Sequence, residues 1–181
     1  MNYLKKISLL LITFIAFTSC SSDDDNAVVP QPQNIVEIAL DSPDLSSLVA
    51  ALTAADGDLV NVLQGDGPFT VFAPTNEAFA AFLTSSGYEN LENVPTDVLS
   101  QVLLYHVVGG NVTSSDLTNP GETTAETLQG DSITITLPGS EGNIANITDA
   151  SGATDIGIVA VDVQAGNGVI HVLNKVMIPN L

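Results

Sequence analysis

The sequence has very few basic side chains. Its 181 residues include three lysines and no arginine, against 21 acidic side chains, and its formal net charge is −18. Nucleic-acid affinity depends on Lys and Arg displacing counterions from phosphates, and attraction to anionic lipid head groups needs the same residues. The composition therefore excludes both partners, and the lack of arginine argues against phosphoryl-group chemistry and bidentate carboxylate recognition.

Cysteine and aromatic residues are also scarce. The chain has one cysteine, no tryptophan and an aromatic content of 5%. A single cysteine cannot form an intramolecular disulfide, so no disulfide framework supports the fold. Hydrophobic residues make up 45% of the chain and charged residues 13%, which is outside the composition of disordered proteins. The length fits one folded domain with an adequate core.

The first nineteen residues have the pattern of an export signal. Lys5 and Lys6 precede an apolar run over residues 7–17. As a helix, that run would span about 16 Å, roughly half of a bilayer's hydrocarbon core. It therefore predicts the hydrophobic region of a signal peptide, with a buried N-terminal core helix as the alternative.

Cys20 ends this segment in the sequence Thr-Ser-Cys, which resembles a bacterial lipoprotein cleavage site; Phe17 stands where leucine is usual. In such proteins the cysteine becomes the lipidated first residue. Residues 21–25, Ser-Ser-Asp-Asp-Asp, resemble the stretch that sends Bacteroidetes lipoproteins to the cell surface, with a solvated linker as the alternative. We expect a signal peptide over residues 1–19, a lipidated, acidic and proline-containing tether over 20–33, and a location on the outer membrane at the cell surface.

The remaining residues, 34–181, form a single domain in which helical and strand patterns are segregated. Apolar residues recur at helical spacing over residues 35–63, 79–83 and 98–106. Asp44 is expected to be an N-cap, Thr75 or Asn76 to cap a later helix, and Pro95 to occupy a first helical position.

Strand patterns dominate the second half. Isoleucine and leucine alternate with threonine over residues 133–137, Ile144 and Ile147 lie between polar residues, and β-branched residues fill 156–163 and 169–178. Residues 69–72 predict one earlier strand that joins the later sheet. The predicted fold class is therefore α+β, without regular βαβ alternation.

No set of residues has the spacing of a catalytic or metal site. The two histidines, His106 and His171, are far apart and favour hydrogen-bonded positions in the core over zinc ligation. Residues 56–61 depart from a calcium loop and favour a solvated turn, although calcium binding stays open.

One segment of the sequence is similar to part of an esterase. Residues 130–133, Gly-Asp-Ser-Ile, resemble the nucleophile block of one esterase family. That family also has an Asp-x-x-His segment near the C-terminus, but here the tetrad that ends at His171 begins with glycine. Ser132 is therefore expected to be a turn residue. The sequence predicts a protein that is not an enzyme and has no cofactor and no metal site.

Three ordered segments carry a family resemblance. Residues 67–79 (GPFTVFAPTNEAF), 103–108 (LLYHVV) and 167–174 (NGVIHVLN) resemble the signature segments of fasciclin (FAS1) domains. The resemblance covers residues 34–181 as one copy, and it implies a wedge in which helices of the N-terminal half cover a twisted sheet. Gly168 is expected to allow close backbone approach or a bulge beside the edge of the sheet, and Pro74 to suit a strand-to-helix corner.

The family resemblance implies adhesion through an extracellular protein or matrix partner. In animal members, cell binding is assigned to positions that match Tyr105, His106, Asp162 and Val163, the last of which replaces isoleucine. Tyr105 and His106 are alternatively core residues. The alternative function is a carrier of an apolar, carotenoid-like ligand, as in some algal relatives, in a groove between helices and sheet.

Overall fold

The computed structural model describes residues 31–117 and 120–181, and these residues belong to one unit, Gln31–Leu181. The predicted signal peptide, Cys20 and the tether up to residue 30 lie outside the described residues. Among the helices in the described ranges, none combines the length and hydropathy needed to cross a membrane.

Helices dominate the first half, as the sequence predicts. The described α-helices are α1 (Ile35–Asp41), α2 (Ser46–Ala54), α3 (Leu59–Gln64), α4 (Asn76–Ser86) and α5 (Thr96–Tyr105). A capping box starts α1: the N–H of Glu37 donates to Asn34 Oδ1 at 2.9 Å, and the N–H of Asn34 donates to the Glu37 carboxylate at 2.8 Å. Thr75 caps α4 through Ala78, which agrees with one of its two predicted caps.

The prediction of Asp44 as an N-cap is wrong. Pro43 begins a short 3-10 turn that contains Asp44 and ends at Leu45. A backbone N–H in the first turn of α2 is instead bonded by a side chain outside the helix: the N–H of Ser47 donates to Asn76 Oδ1 at 2.8 Å. Pro95 lies one residue before α5, at the N-cap rather than the first helical position.

Seven strands form one mixed sheet. They are β1 (Phe69–Pro74), β2 (Val107–Gly109), β3 (Gly121–Glu126), β4 (Ser132–Leu137), β5 (Ala145–Thr148), β6 (Ile156–Ala165) and β7 (Gly168–Leu173). Their order is β2-β1-β7-β6-β5-β4-β3, in which β1 and β7 are parallel and the other neighbours antiparallel. The early strand β1 thus joins the later sheet, as predicted.

The sheet curls until its two terminal strands meet. A single bridge pairs Val108 of β2 with Thr127, the residue after β3, and the N–H of Leu128 donates to Val107 O at 2.7 Å. The curled sheet encloses one apolar core, to which Phe72, Ile135 and Ile158 contribute. The helices enclose a second core against the other face of β1 and β7.

The turn between β6 and β7 ties the sheet to the helices. Asn167 accepts a hydrogen bond from the N–H of Ile35 at 3.0 Å, and its side-chain amide donates to Leu63 O and Gly65 O. A Cβ on Gly168 would lie 2.0 Å from Phe69 O, so only glycine fits there. The predicted close approach at Gly168 is confirmed.

Several strand predictions are corrected. The strand expected over 169–178 ends at Leu173, because Asn174 turns the chain and donates from its N–H to Gly157 O at 3.0 Å. Ser132 is the first residue of β4, paired with Glu126, rather than a turn residue. Strands β2 and β3 were not predicted.

Candidate functional site

Tyr105 is buried completely at the end of α5. Its hydroxyl donates to Ser132 O at 3.2 Å and accepts from the N–H of Ala150 at 2.8 Å. Burial raises the pKa of Tyr105 to about 12, and the carboxylates of Asp149 and Asp131 act in the same direction. Its side chain therefore joins two strand ends inside the sheet and presents no surface to a partner.

His106 is 2% exposed and is hydrogen-bonded through both ring nitrogens. Nδ1 lies 2.7 Å from Val102 O, and Nε2 lies 3.0 Å from the N–H nitrogen of Met177. Because a carbonyl only accepts and an N–H only donates, Nδ1 carries the proton and Nε2 is the acceptor. Burial lowers the pKa of His106 to about 4, so the ring is neutral at neutral pH.

Asp162 occupies a bulge in β6 with φ of 58°. Its carboxylate accepts from the N–H of Ser114 at 2.8 Å and from the Ser114 hydroxyl. These hydrogen bonds hold the pKa of Asp162 below its usual value, the hydroxyl contributing most. The side chain thus fastens the connection between β2 and β3 to β6.

His171 supports the same bulge from β7. The N–H of Asp162 donates to Nδ1 of His171 at 3.3 Å, and Nε2 donates to Val112 O at 2.8 Å. The ring also contacts Phe72, with centroids 5.5 Å apart. His171 is 2% exposed, which agrees with the expected hydrogen-bonded core position.

Val163 is the one residue of the four predicted interaction positions that is classed as exposed. It is 37% exposed, and its backbone pairs with Ile170 of β7. The structure therefore separates the predicted positions into two kinds. Tyr105 and His106 lie in the interior, as their alternative interpretation has it, while Asp162 and Val163 form a bulge at the surface.

The described residues offer no group of three His, Cys, Asp or Glu side chains that could hold a metal ion. In the acidic turn 56–61, Asp56 accepts from the Thr96 hydroxyl at 2.5 Å and Asp58 accepts from the Asn61 amide at 2.7 Å. The Asp56 carboxylate thus links the turn to α5, and the Asp58 carboxylate bonds the side chain of Asn61 in α3.

The enclosed cavity between the helices and β1 is small. A cavity of about 10 Å³, lined by apolar side chains and His106, lies among α1, α2, α3 and β1. Ligand pockets typically measure roughly 300–1,000 Å³. In this conformation the cavity has room for about one water molecule, and it gives the carrier interpretation no support.

Sequence reasoning missed two carboxylates that organise the C-terminal residues. Asp149 is 5% exposed and accepts from the N–H groups of Ala153 and Ile178. Asp131 accepts from the N–H of Asn180 at 3.0 Å. Asp131 precedes β4 and Asp149 follows β5. Their contacts with the C-terminal residues span 49 and 29 positions of the chain, so no local pattern could have identified these contacts.

The family model for the fasciclin domain matches residues 43–179, and the chain belongs to the fasciclin family. The helices and mixed sheet form the FAS1 fold. They superimpose on a FAS1 domain pair of the insect cell adhesion molecule fasciclin I with a TM-score of 0.62 at 19% identity, over 82% of this chain and 51% of that one.

Bacterial relatives cover most of the chain. Protein sll1483 of Synechocystis is 36% identical over 170 residues, which is 91% of this chain and 87% of the relative. The cell surface glycolipoprotein MPB83 of Mycobacterium bovis is 30% identical over 150 residues, or 80% of this chain and 60% of the relative.

Proposed function

We propose that this chain is a non-catalytic cell-surface adhesion or protein-interaction module, lipid-anchored through Cys20, with an extracellular protein or matrix component as its partner. The observation that carries the proposal is the β6 bulge, where Asp162 is fixed by Ser114 while Val163 beside it is exposed. A fixed backbone with an exposed apolar side chain is a suitable contact point, because little conformational entropy is lost on binding.

The hydrogen bonding of the buried tyrosine and histidine side chains supports the same proposal. The hydroxyl of Tyr105 and the rings of His106 and His171 each bond two groups of the fold. These side chains serve the architecture, and recognition is left to the surface. Relatives named as a cell surface glycolipoprotein and an insect cell adhesion molecule agree with this role.

Charge narrows the chemistry of the partner. In the described residues, Lys175 forms an ion pair with Asp155 at the surface, and the remaining charged side chains are acidic. An acidic partner would be repelled, while a neutral or basic surface would be accepted or attracted. The proposed partner therefore presents an apolar contact for Val163 within a neutral or basic surround.

A competition experiment tests the proposal. Purified full chain is added to cells that display it, and attachment to coated surfaces is counted. We expect the wild-type chain to reduce attachment and Val163→Glu to lose that effect. Val159→Glu is the matched control, because Val159 lies on the same strand and is 45% exposed. Equal inhibition by both variants would contradict a contact at the bulge.

The anchor is tested separately. Cys20→Ala should move the protein from the membrane fraction to the soluble exported fraction, because no acyl chain can be attached. Unchanged recovery in the membrane fraction would overturn lipidation at Cys20 and leave the adhesion proposal to the competition experiment. Protease added to intact cells reports surface exposure: a lipidated protein that is protected from it contradicts the cell-surface location.

A further inference from the structure

The residues after β7 are held to the domain in an unusual way. We call residues 176–181 the C-terminal strap; they are neither helix nor strand. Met177 is completely buried in the core inside the curled sheet, and Val176 is 7% exposed. The strap therefore closes one end of that core.

Side chains accept the hydrogen bonds of the strap's backbone. The N–H of Met177 donates to His106 Nε2 at 3.0 Å, that of Ile178 to Asp149 Oδ2 at 2.9 Å, and that of Asn180 to Asp131 Oδ2 at 3.0 Å. Residue 179 is proline, which has no N–H. The acceptors come from the end of α5, the end of β5 and the turn before β4.

Every one of these acceptors can take up a proton. The hydrogen bond to His106 is the most sensitive to protonation. Nδ1 already donates to Val102 O, so an added proton must go to Nε2, the atom that accepts from Met177. A proton on Nε2 would place two N–H groups against each other and break the bond to Met177. Asp149 and Asp131 each have two carboxylate oxygens, so a proton on one oxygen would still leave the other able to accept.

The surroundings of His106 offer a charged ring little compensation. Helices α1, α2 and α3 and strands β1 and β7 line the adjacent cavity with apolar side chains. The carboxylate of Asp149 is the charged group whose field reaches the ring. An imidazolium in this position would lose most of its hydration and gain one carboxylate, which does not compensate for the loss.

We propose that the C-terminal strap is an acid-released latch: protonation of His106 detaches residues 176–181 while the sheet and the helices stay folded. The strap lies outside the seven-stranded sheet, and its buried apolar side chains in the two cores are Val176 in the helical core and Met177 in the sheet core. This inference is independent of the proposed adhesion function.

The direction and size of the effect follow from proton linkage. Burial lowers the pKa of His106 from 6.5 to about 4, whereas a ring exposed by release titrates near 6.5. The open form therefore binds the proton more tightly, and acid favours it. The ratio of open to closed strap should rise about 100-fold between pH 7 and pH 4.

Release would expose apolar surface. A groove of about 270 Å³ lies between α4 and the strap, with Ala78 and Phe82 on one wall and Val176 and Ile178 on the other. When the strap leaves, this wall disappears and the site of Met177 opens to solvent. Release of the latch would thus expose apolar side chains of this groove to solvent in acid.

Methionine oxidation measures the opening directly. The chain has two methionines, Met1 and Met177, and peptide mass spectrometry distinguishes them. The full chain is treated with hydrogen peroxide between pH 7 and pH 4, with free methionine as the reference for intrinsic reactivity. We expect the relative oxidation rate of Met177 to rise about 100-fold while circular dichroism shows an intact sheet.

Two variants and one spectroscopic measurement complete the test. His106→Gln should abolish the rise, and Asp131→Asn, which keeps an acceptor oxygen for Asn180, should preserve it. If His106→Gln does not fold, the ring of wild-type His106 is titrated by NMR, and its protonation must coincide with the oxidation of Met177. A flat oxidation profile, a rise that survives in folded His106→Gln, a titration that does not coincide, or oxidation that accompanies loss of the sheet would each overturn the proposal.

Discussion

The N–H of Ser114 donates a 2.8 Å hydrogen bond to the carboxylate of Asp162, 48 residues further along the chain. This contact fastens the connection between β2 and β3 to the bulge of β6. The carboxylate of Asp162 therefore has a structural role in the fold. It fixes the backbone of the bulge next to Val163.

Replacing Asp162 should therefore lower stability. We expect Asp162→Ala to reduce the free energy of unfolding by about 1–3 kcal/mol, the usual cost of losing hydrogen bonds to a charged group. Since these bonds lower the pKa of Asp162, their contribution is present above the unfolded pKa of 3.8 and is lost as pH falls through the lower folded value.

Urea denaturation at pH 7 and pH 3 measures the effect. Asp66→Ala, at an exposed position before β1, is the control and should change stability by less than about 0.5 kcal/mol. Equal losses in the two variants would contradict a specific role for Asp162.

Gly168→Ala should be strongly destabilising. Its Cβ would lie 2.0 Å from the carbonyl oxygen of Phe69, so the parallel pair of β1 and β7 must separate locally. We expect a loss of about 2–4 kcal/mol, in the range of severe packing defects. Gly109→Ala, where the nearest atom is 4.0 Å away, should cost under about 1 kcal/mol; thermal denaturation compares them.

Tyr105→Phe separates a core role from an interaction role. The change removes the hydroxyl that bonds Ser132 O and the N–H of Ala150, and it leaves both backbone groups without this partner. We expect a loss of about 1–3 kcal/mol in denaturant titration. Attachment per folded molecule should not change, because Tyr105 is buried; reduced attachment by fully folded protein would contradict this.

Salt should stabilise the domain. The 21 acidic residues include Asp23, Asp24 and Asp25 of the predicted tether, which leaves 18 carboxylates on residues 31–181 with Lys175. Mutual repulsion at this charge density falls when the Debye length shortens from about 30 Å at 0.01 M to about 8 Å at 0.15 M. We expect the melting temperature to rise across this range; an unchanged value would show that the carboxylates are too dispersed to repel.

Local patterns predicted much of the fold. The apolar spacing of α2, α4 and α5 and the isoleucine alternation of β4 are strong periodic signals, and the structure confirms them. Strand β3 was not predicted because it consists of Gly, Glu, Thr and Ala. It lies at the end of the strand order, where little apolar burial is required.

The candidate site was less predictable, for a physical reason. Tyr105 and His106 have the residue types of a binding site, and only tertiary structure reveals that their polar atoms face Ser132, Ala150, Val102 and Met177. The exposure of Val163 depends on the bulge at Asp162, which no periodicity encodes.

The meeting of β2 and β3 also bears on how the protein behaves when crowded. Sheet edges with unpaired backbone groups recruit strands from other molecules. Here the bridge from Val108 to Thr127 pairs part of one terminal strand with the other, and Glu122 and Glu126 place carboxylates on β3. Edge-to-edge association between copies of the domain is therefore disfavoured, and any clustering would have to use side-chain surfaces instead.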